Sequence, residues 1–243
     1  MSDPFAHHPG LRGKITDPER SFFRGFRAED LVPMLAEQGL PVGWWHSDAD
    51  REALRRRALS NHPGGDLWVF AYGSLMWDPG FRFAEVRRAY APGYARRFIL
   101  RDIRGARGRP DAPGLMAALD HGPGCEGLAF RIAEEVIEHE TQILCRRELI
   151  EPAYHARFVE VDLGGAQQRA LTFVADHDAP TICPDLTQDE QVRLIATGTG
   201  VLGSSLEYLA NIASQFQALG IHDDDVMALL AAVEAHEAPT GRA

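Results

Sequence analysis

Between Leu67 and Asp176 the chain carries six runs rich in β-branched and aromatic residues, each bounded by Gly, Pro or Asp: LWVFAY, YARRFIL, GLMAALD, CEGLAFRI, HARFVEVDL and QRALTFVAD. Such runs read as strands. One helical pattern interrupts them, AEEVIEHETQILCRREL, with apolar positions at Val136, Ile137, Ile143, Leu144 and Leu149. After the strands the chain turns helical: TQDEQVRLIATG, SSLEYLANIASQFQALG and DDDVMALLAAVEAHE. Thr187 with Asp189 suits a helix start, Ser204 with Glu207 a capping box, and Gly220 a helix stop. This order predicts an α+β fold with a strongly curved sheet or small barrel and flanking helices.

Two helices are also predicted ahead of the strands. AEDLVPMLAEQG holds Pro33 in its first turn and stops at Gly39. SDADREALRRRALS opens on Ser47 as N-cap, with Glu52 and Arg56 one turn apart. NHPGGD (61–66) then breaks the chain. Residues 1–20 are polar and read as a mobile arm. Its adjacent His7 and His8 lack carboxylate or thiol neighbours, so solvated side chains are expected there. The predicted organisation is an arm and helical extension over 1–66, packed on or near a main domain over 67–243.

The 243 residues are 45% hydrophobic, enough for a sizeable core, and carry a net charge of -10. That charge argues against nucleic acid or an anionic membrane as the main partner. No run of apolar residues is long enough to predict a membrane span. Cys125, Cys145 and Cys183 are odd in number, widely spaced and without a CxxC, which argues against a disulfide framework or zinc knuckle. No signal peptide is visible at the N-terminus, so a cytoplasmic location is expected. Arginines cluster from Arg87 to Arg109, either as a solvated face or as a site for a small anion.

GTGVLG (198–203) fits G-x-G-x-x-G, but a helix rather than a strand precedes it, so it reads as a loop between helices. Ser74 lies outside a G-x-S-x-G context, and HETQI (139–143) lacks the second histidine of a zincin. No metal set remains. Two features do: the turn Tyr72-Gly73-Ser74-Leu75 and the acid of CRREL, Glu148. Read locally, Glu148 is either a helix-end charge in a surface ion pair or an acid for chemistry. Glu140, eight residues earlier and roughly on the same helical face, is a second candidate acid.

WVFAYGSLMWDPGF (68–81) resembles the signature of the ChaC-like family, the glutathione-specific γ-glutamylcyclotransferases. The resemblance continues in order through RRF (96–98), RG (104–105), PGL (113–115), GLAFRI (127–132), RRE (146–148) with Tyr154 beyond, and GSSLEYL (203–209). It leaves residues 1–66 unmatched. It implies a small mixed β-barrel and the conversion of reduced glutathione to 5-oxoproline and Cys-Gly, without metal or cofactor. It further implies that Tyr72, Gly73, Ser74 and Leu75 hold the γ-glutamyl group, with Tyr154 and Tyr208 in the binding set. Glu148 is then the general base and acid. The segment LIEPA before Tyr154 is longer than in many relatives. Trp77 and Phe81 are expected to wall the pocket or pack in the core. Arg146 and Arg147 are expected to face away from Glu148, leaving burial to raise its pKa. Which of Arg96, Arg97 and Arg104 supplies positive potential stays open. The expected partner is reduced glutathione alone, bound by a monomer or weak homodimer. The alternatives are a non-catalytic γ-glutamyl-binding or cation-transport regulatory protein, a cyclotransferase of other γ-glutamyl amides, and an amidase using Ser74.

Overall fold

Side-chain caps start the N-terminal helices. Ser21 Oγ accepts from the Phe23 amide at 3.1 Å and opens Phe22–Gly25 (α1). Ser47 Oγ accepts from the Asp50 amide at 3.1 Å and opens Asp48–Leu59 (α3). Between them, the expected helix AEDLVPMLAEQG is a 3-10 turn, Ala28–Leu31, running into a short α-helix, Val32–Glu37 (α2). Pro33 sits in the first turn of α2, where its missing N–H leaves no gap. The computed structural model describes residues 3–237, so the last six residues of the expected 67–243 domain lie outside the described residues.

Residues 3–20 dock on the main body, where a free arm was expected. Leu11 and Ile15 are buried in the main core. The Val86 amide donates to Pro4 O, the Thr16 amide to Trp77 O and Gln215 Nε2 to Lys14 O. His8 is not a solvated side chain either. Its Nε2 accepts the Arg88 amide at 2.8 Å, and burial, with His7, Arg87 and Arg88 nearby, lowers its pKa. Two isolated apolar residues in a polar stretch gave no periodic signal of this docking.

Five strands follow: Leu67–Ala71 (β1), Glu85–Asp102 (β2), Gly114–Ile132 (β3), Tyr154–Asp162 (β4) and Gln167–Ala175 (β5). β1 pairs antiparallel with β3 and parallel with β5; β3 pairs with β2, β2 with β4 and β4 with β5. The order β1-β3-β2-β4-β5 closes, giving a mixed barrel. GLMAALD and CEGLAFRI are thus one strand rather than two, and β2 begins well before Tyr94. Gly122-Pro123-Gly124 on β3 faces Pro92-Gly93 on β2, and the register shifts between Pro92 and Tyr94. Gly93 has φ 79°, and a Cβ on Gly124 would overlap the Tyr90 ring. These residues make a bulge and a close approach, so the strands bend without ending.

Ile137–Glu148 (α4) separates β3 from β4. Arg55 of α3, only 2% exposed, fastens the two helices through Glu138 Oε1 at 2.6 Å and Thr141 Oγ1 at 2.9 Å. Beyond β5 come Gln188–Thr197 (α5), the small hairpin Thr199–Gly200 (β6) and Gly203–Ser204 (β7), Ser205–Leu219 (α6) and Asp224–Glu237 (α7). The complete capping box is at α5, where Thr187 pairs reciprocally with Glu190. At α6 only half of one forms: Ser204 Oγ accepts the Glu207 amide, while the Glu207 carboxylate turns toward Arg107. Gly220, at φ 61°, ends α6. Among the described residues no helix is long and apolar enough to cross a membrane.

Candidate active site

The mouth of β1, the end of α4, the loop after β2 and the N-terminal segment enclose a cavity of about 380 Å³. Tyr72, Gly73, Ser74, Leu75, Glu148, Tyr154 and Tyr208 all line it, so the turn, the α4 acid and the two further tyrosines of the expected set meet there. Trp77 also lines it, while Phe81 is buried edge-on against Phe130.

The turn forms because β1 stops and a 3-10 turn, Ser74–Met76, begins. The Met76 and Trp77 amides bond back to Gly73 O and Ser74 O. The Ser74 and Leu75 amides start the turn and have no protein acceptor among the described residues, as expected for the first donors of such a turn. Gly73 is required by contact rather than by backbone angle: its φ is -133°, but a Cβ there would lie 2.6 Å from Tyr208 Oη. Arg96, 1% exposed, holds the turn from behind, donating Nε to Tyr72 O at 2.6 Å and Nη1 to Asp223 at 2.8 Å.

Arg147 departs from expectation. Its Nη2 donates to Ser74 Oγ at 2.7 Å, a second donor reaches Asp78 O, and the Phe23 ring stacks 3.8 Å from the guanidinium carbon. Those anchors bend the side chain back, bringing Nε 3.0 Å from Glu148 Oε1. Arg146 does point elsewhere, to Arg24 O. Glu148 is the last residue of α4, 15% exposed, and faces the cavity rather than bulk solvent. Burial raises its pKa despite the opposing Arg147 charge. Its other carboxylate oxygen has no donor among the described residues. The helix-end surface pair is therefore not what forms.

Three phenols complete this end. Tyr72 Oη donates to Phe173 O at 2.9 Å. Burial pushes the Tyr208 phenol up to about 12 and Tyr154 well above its ordinary value, so both stay neutral donors. Arg107 lies over the Tyr208 ring at 5.4 Å and donates to Ser204 O at 3.0 Å. The loop carrying it is folded around Asp102, whose carboxylate accepts the Arg104, Arg107 and Gly108 amides. GTGVLG braces the same loop: the Val201 and Leu202 amides donate to Gly105 O and Ala106 O. A Cβ on Gly200 would fall 2.5 Å from Ala106 backbone atoms, which accounts for the glycine there.

Glu140 does not reach the cavity. Fully buried, it is spent on Arg24 at 2.9 Å, the Arg82 amide at 2.8 Å and His139, and these partners lower its pKa against burial. Of the three arginines left open, Arg96 is structural, Arg97 pairs with Asp120 and Pro184 O, and Arg104 lines the cavity. Sequence reasoning missed Glu151, Phe23 and Trp44, all cavity-lining. Glu151, 14% exposed, is pushed by burial up to about 7. It sits within LIEPA, the one segment noted as unusual. Among the described residues no group of three or more His, Cys, Asp or Glu is placed to hold a metal ion.

A family model described as ChaC-like protein matches residues 67–236. The glutathione-specific γ-glutamylcyclotransferase of Escherichia coli (strain K12) is 32% identical over 191 residues, 78% of this chain and 82% of that protein. Glutathione-specific γ-glutamylcyclotransferase 1 of Homo sapiens is 31% identical over 175 residues, 69% of this chain and 78% of that protein. Among solved structures, a γ-glutamylcyclotransferase specific to glutathione from yeast superposes with a TM-score of 0.67 at 22% identity. The match covers 74% of this chain and 100% of that one, and at that identity it speaks for the fold.

Proposed function

The chain belongs to the ChaC-like family, and from that premise we propose that it cleaves reduced glutathione to 5-oxoproline and Cys-Gly, with Glu148 as general base and acid. The observation that carries this is a buried carboxylate with one unspent oxygen, sharing a cavity with two unspent turn amides. In this reading the domain over 67–243 carries the reaction, and residues from Phe22 to Trp44 wall its cavity.

The substrate supplies its own nucleophile. Its α-amine nitrogen attacks its own γ-carbonyl carbon, a C–N bond closes the five-membered ring, and the C–N bond to the cysteine breaks. The protein must fold the γ-glutamyl chain and move one proton. Holding both reacting groups in register is strongly rewarded. Of the two protons the α-ammonium loses on becoming the lactam N–H, one leaves to solvent as the nucleophilic amine forms, and the free oxygen of Glu148 takes the other as the ring closes and delivers it to the departing cysteine nitrogen. A pKa raised by burial brings that carboxylate closer in basicity to the nitrogen it must deprotonate. The Ser74 and Leu75 amides receive the oxyanion or the glutamyl carboxylate. Ser74 Oγ, already accepting from Arg147, acts as a positioning group and not as a nucleophile. Tyr154 and Tyr208 donate as neutral phenols, and Tyr72 and Gly73 shape the turn.

Incubation with reduced glutathione, followed by mass spectrometry, tests the reading. 5-Oxoproline and Cys-Gly are expected, and Glu148→Gln is expected to lower turnover by about 10²–10⁴-fold. Free glutamate in place of 5-oxoproline would return Ser74 as a nucleophile. Binding without products would favour a γ-glutamyl-binding protein, and products from other γ-glutamyl amides alone would move the substrate.

A further inference from the structure

The cavity holds a second polar group apart from the turn and the α4 acid. Arg104, Glu151 and Trp44 gather there, with Ile150 and, from the N-terminal segment, Phe26 and Leu35. The Arg104 guanidinium carbon lies 4.9 Å over the Trp44 ring. Its Nε is 3.6 Å from Glu151 Oε2, beyond hydrogen-bond distance, and this buried nitrogen has no hydrogen-bond partner. The backbone that presents it is fixed. Its amide is bonded to Asp102, and next to it Gly105 packs so closely that a Cβ would lie 3.0 Å from Leu35 and Leu40. A guanidinium on an aromatic platform, with a donor unspent, is built to receive a planar anion. Trp44, Leu35 and Leu40 lie before residue 67, outside the family match.

We propose that Arg104, seated on Trp44, anchors a free carboxylate on the amine half of the substrate, so that γ-glutamyl peptides ending in a carboxylate are selected over γ-glutamyl amides lacking one. This deepens the cyclotransferase reading and rests on it for the identity of the other half. Glu151 holds the arginine loosely when the cavity is empty and gives way when a stronger fork partner arrives. An incoming carboxylate beside it favours the protonated form of Glu151, which removes the repulsion.

The test compares reduced glutathione with glutathione amide, in which only the glycine carboxylate is capped. Release of 5-oxoproline gives kcat and KM, and calorimetry on Glu148→Gln gives binding without turnover. Capping is expected to raise KM about 10- to 100-fold with little change in kcat. Arg104→Gln is expected to raise KM for glutathione by the same factor and to leave that for the amide unchanged, and Arg104→Lys to recover part of the preference. Equal KM for both peptides in the unmodified protein, or an equal rise for both in Arg104→Gln, overturns the proposal. If neither peptide yields 5-oxoproline but calorimetry keeps a preference for the free carboxylate that Arg104→Gln removes, the reaction is wrong and the subsite stands. If calorimetry shows no such preference, the subsite falls.

Discussion

Replacing Glu151 by Gln should make the protein more stable, and only above a certain pH. Burial lifts this carboxyl from 4.5 to about 7, with Arg104 opposing and Asp102 adding to the lift. A carboxyl raised in the folded state lends stability below its unfolded pKa and loses it as pH climbs through the folded one. The cost of ionising Glu151 is therefore absent near pH 4.5, grows between there and about 7, and then levels off. The interval corresponds to about 3 kcal/mol at the plateau, with little to discount because the side chain is only 14% exposed. Gln mimics the protonated form, so the variant and the parent should coincide near pH 4.5 and diverge to about 3 kcal/mol by about pH 8. For a chain of this size that is a Tm difference of about 6–12 °C. Urea unfolding of both proteins across that range measures it, and the other titrating groups cancel in the difference. A difference independent of pH, or one that favours the parent at high pH, refutes the reasoning.

Gly73→Ala places a methyl 2.6 Å from Tyr208 Oη and should cost about 1–3 kcal/mol; Tyr208→Phe, which deletes that oxygen, should restore most of it in the double variant. A thermal-melt cycle reads this, and independent effects would rule out the contact as the reason for glycine. Arg24→Met strands the fully buried Glu140 and should cost about 3–5 kcal/mol, while the further change Glu140→Gln should recover part of the loss, since Gln still accepts the Arg82 amide. A neutral Arg24→Met would show that Glu140 finds water instead.

What was legible in the sequence was whatever is local. Alternating apolar strands, the Ser47 and Thr187 caps, the Gly220 stop and the Tyr72–Leu75 turn all declare themselves within a few residues. Bends in long strands did not, because Pro92-Gly93 and Gly122-Pro123-Gly124 use the same residues as a true turn. Arg147 was misread from helix geometry, in which neighbours diverge by about 100°; its head group is instead fixed by Ser74 and Asp78, far away in sequence. Glu140 and Glu148 share a helix and a chemistry, and only packing separates them, one against Arg24 and the other against a cavity. Glu151 gave no signal because its lifted pKa comes from burial by a fold the sequence does not spell out locally.

The docking of the first residues also sets an order of events during synthesis. Lys14 receives its hydrogen bond from Gln215, 201 positions later, and Leu11 and Ile15 share a core with α6. At roughly 5–20 residues per second, these apolar groups spend about 10–40 s after emerging before α6 exists to pack with them. The arm that leads into the cavity-lining residues Phe22 to Trp44 is thus made first and finished last. A nascent chain stalled before α6 would present Leu11, Ile15 and the barrel surface beneath them to any chaperone at hand.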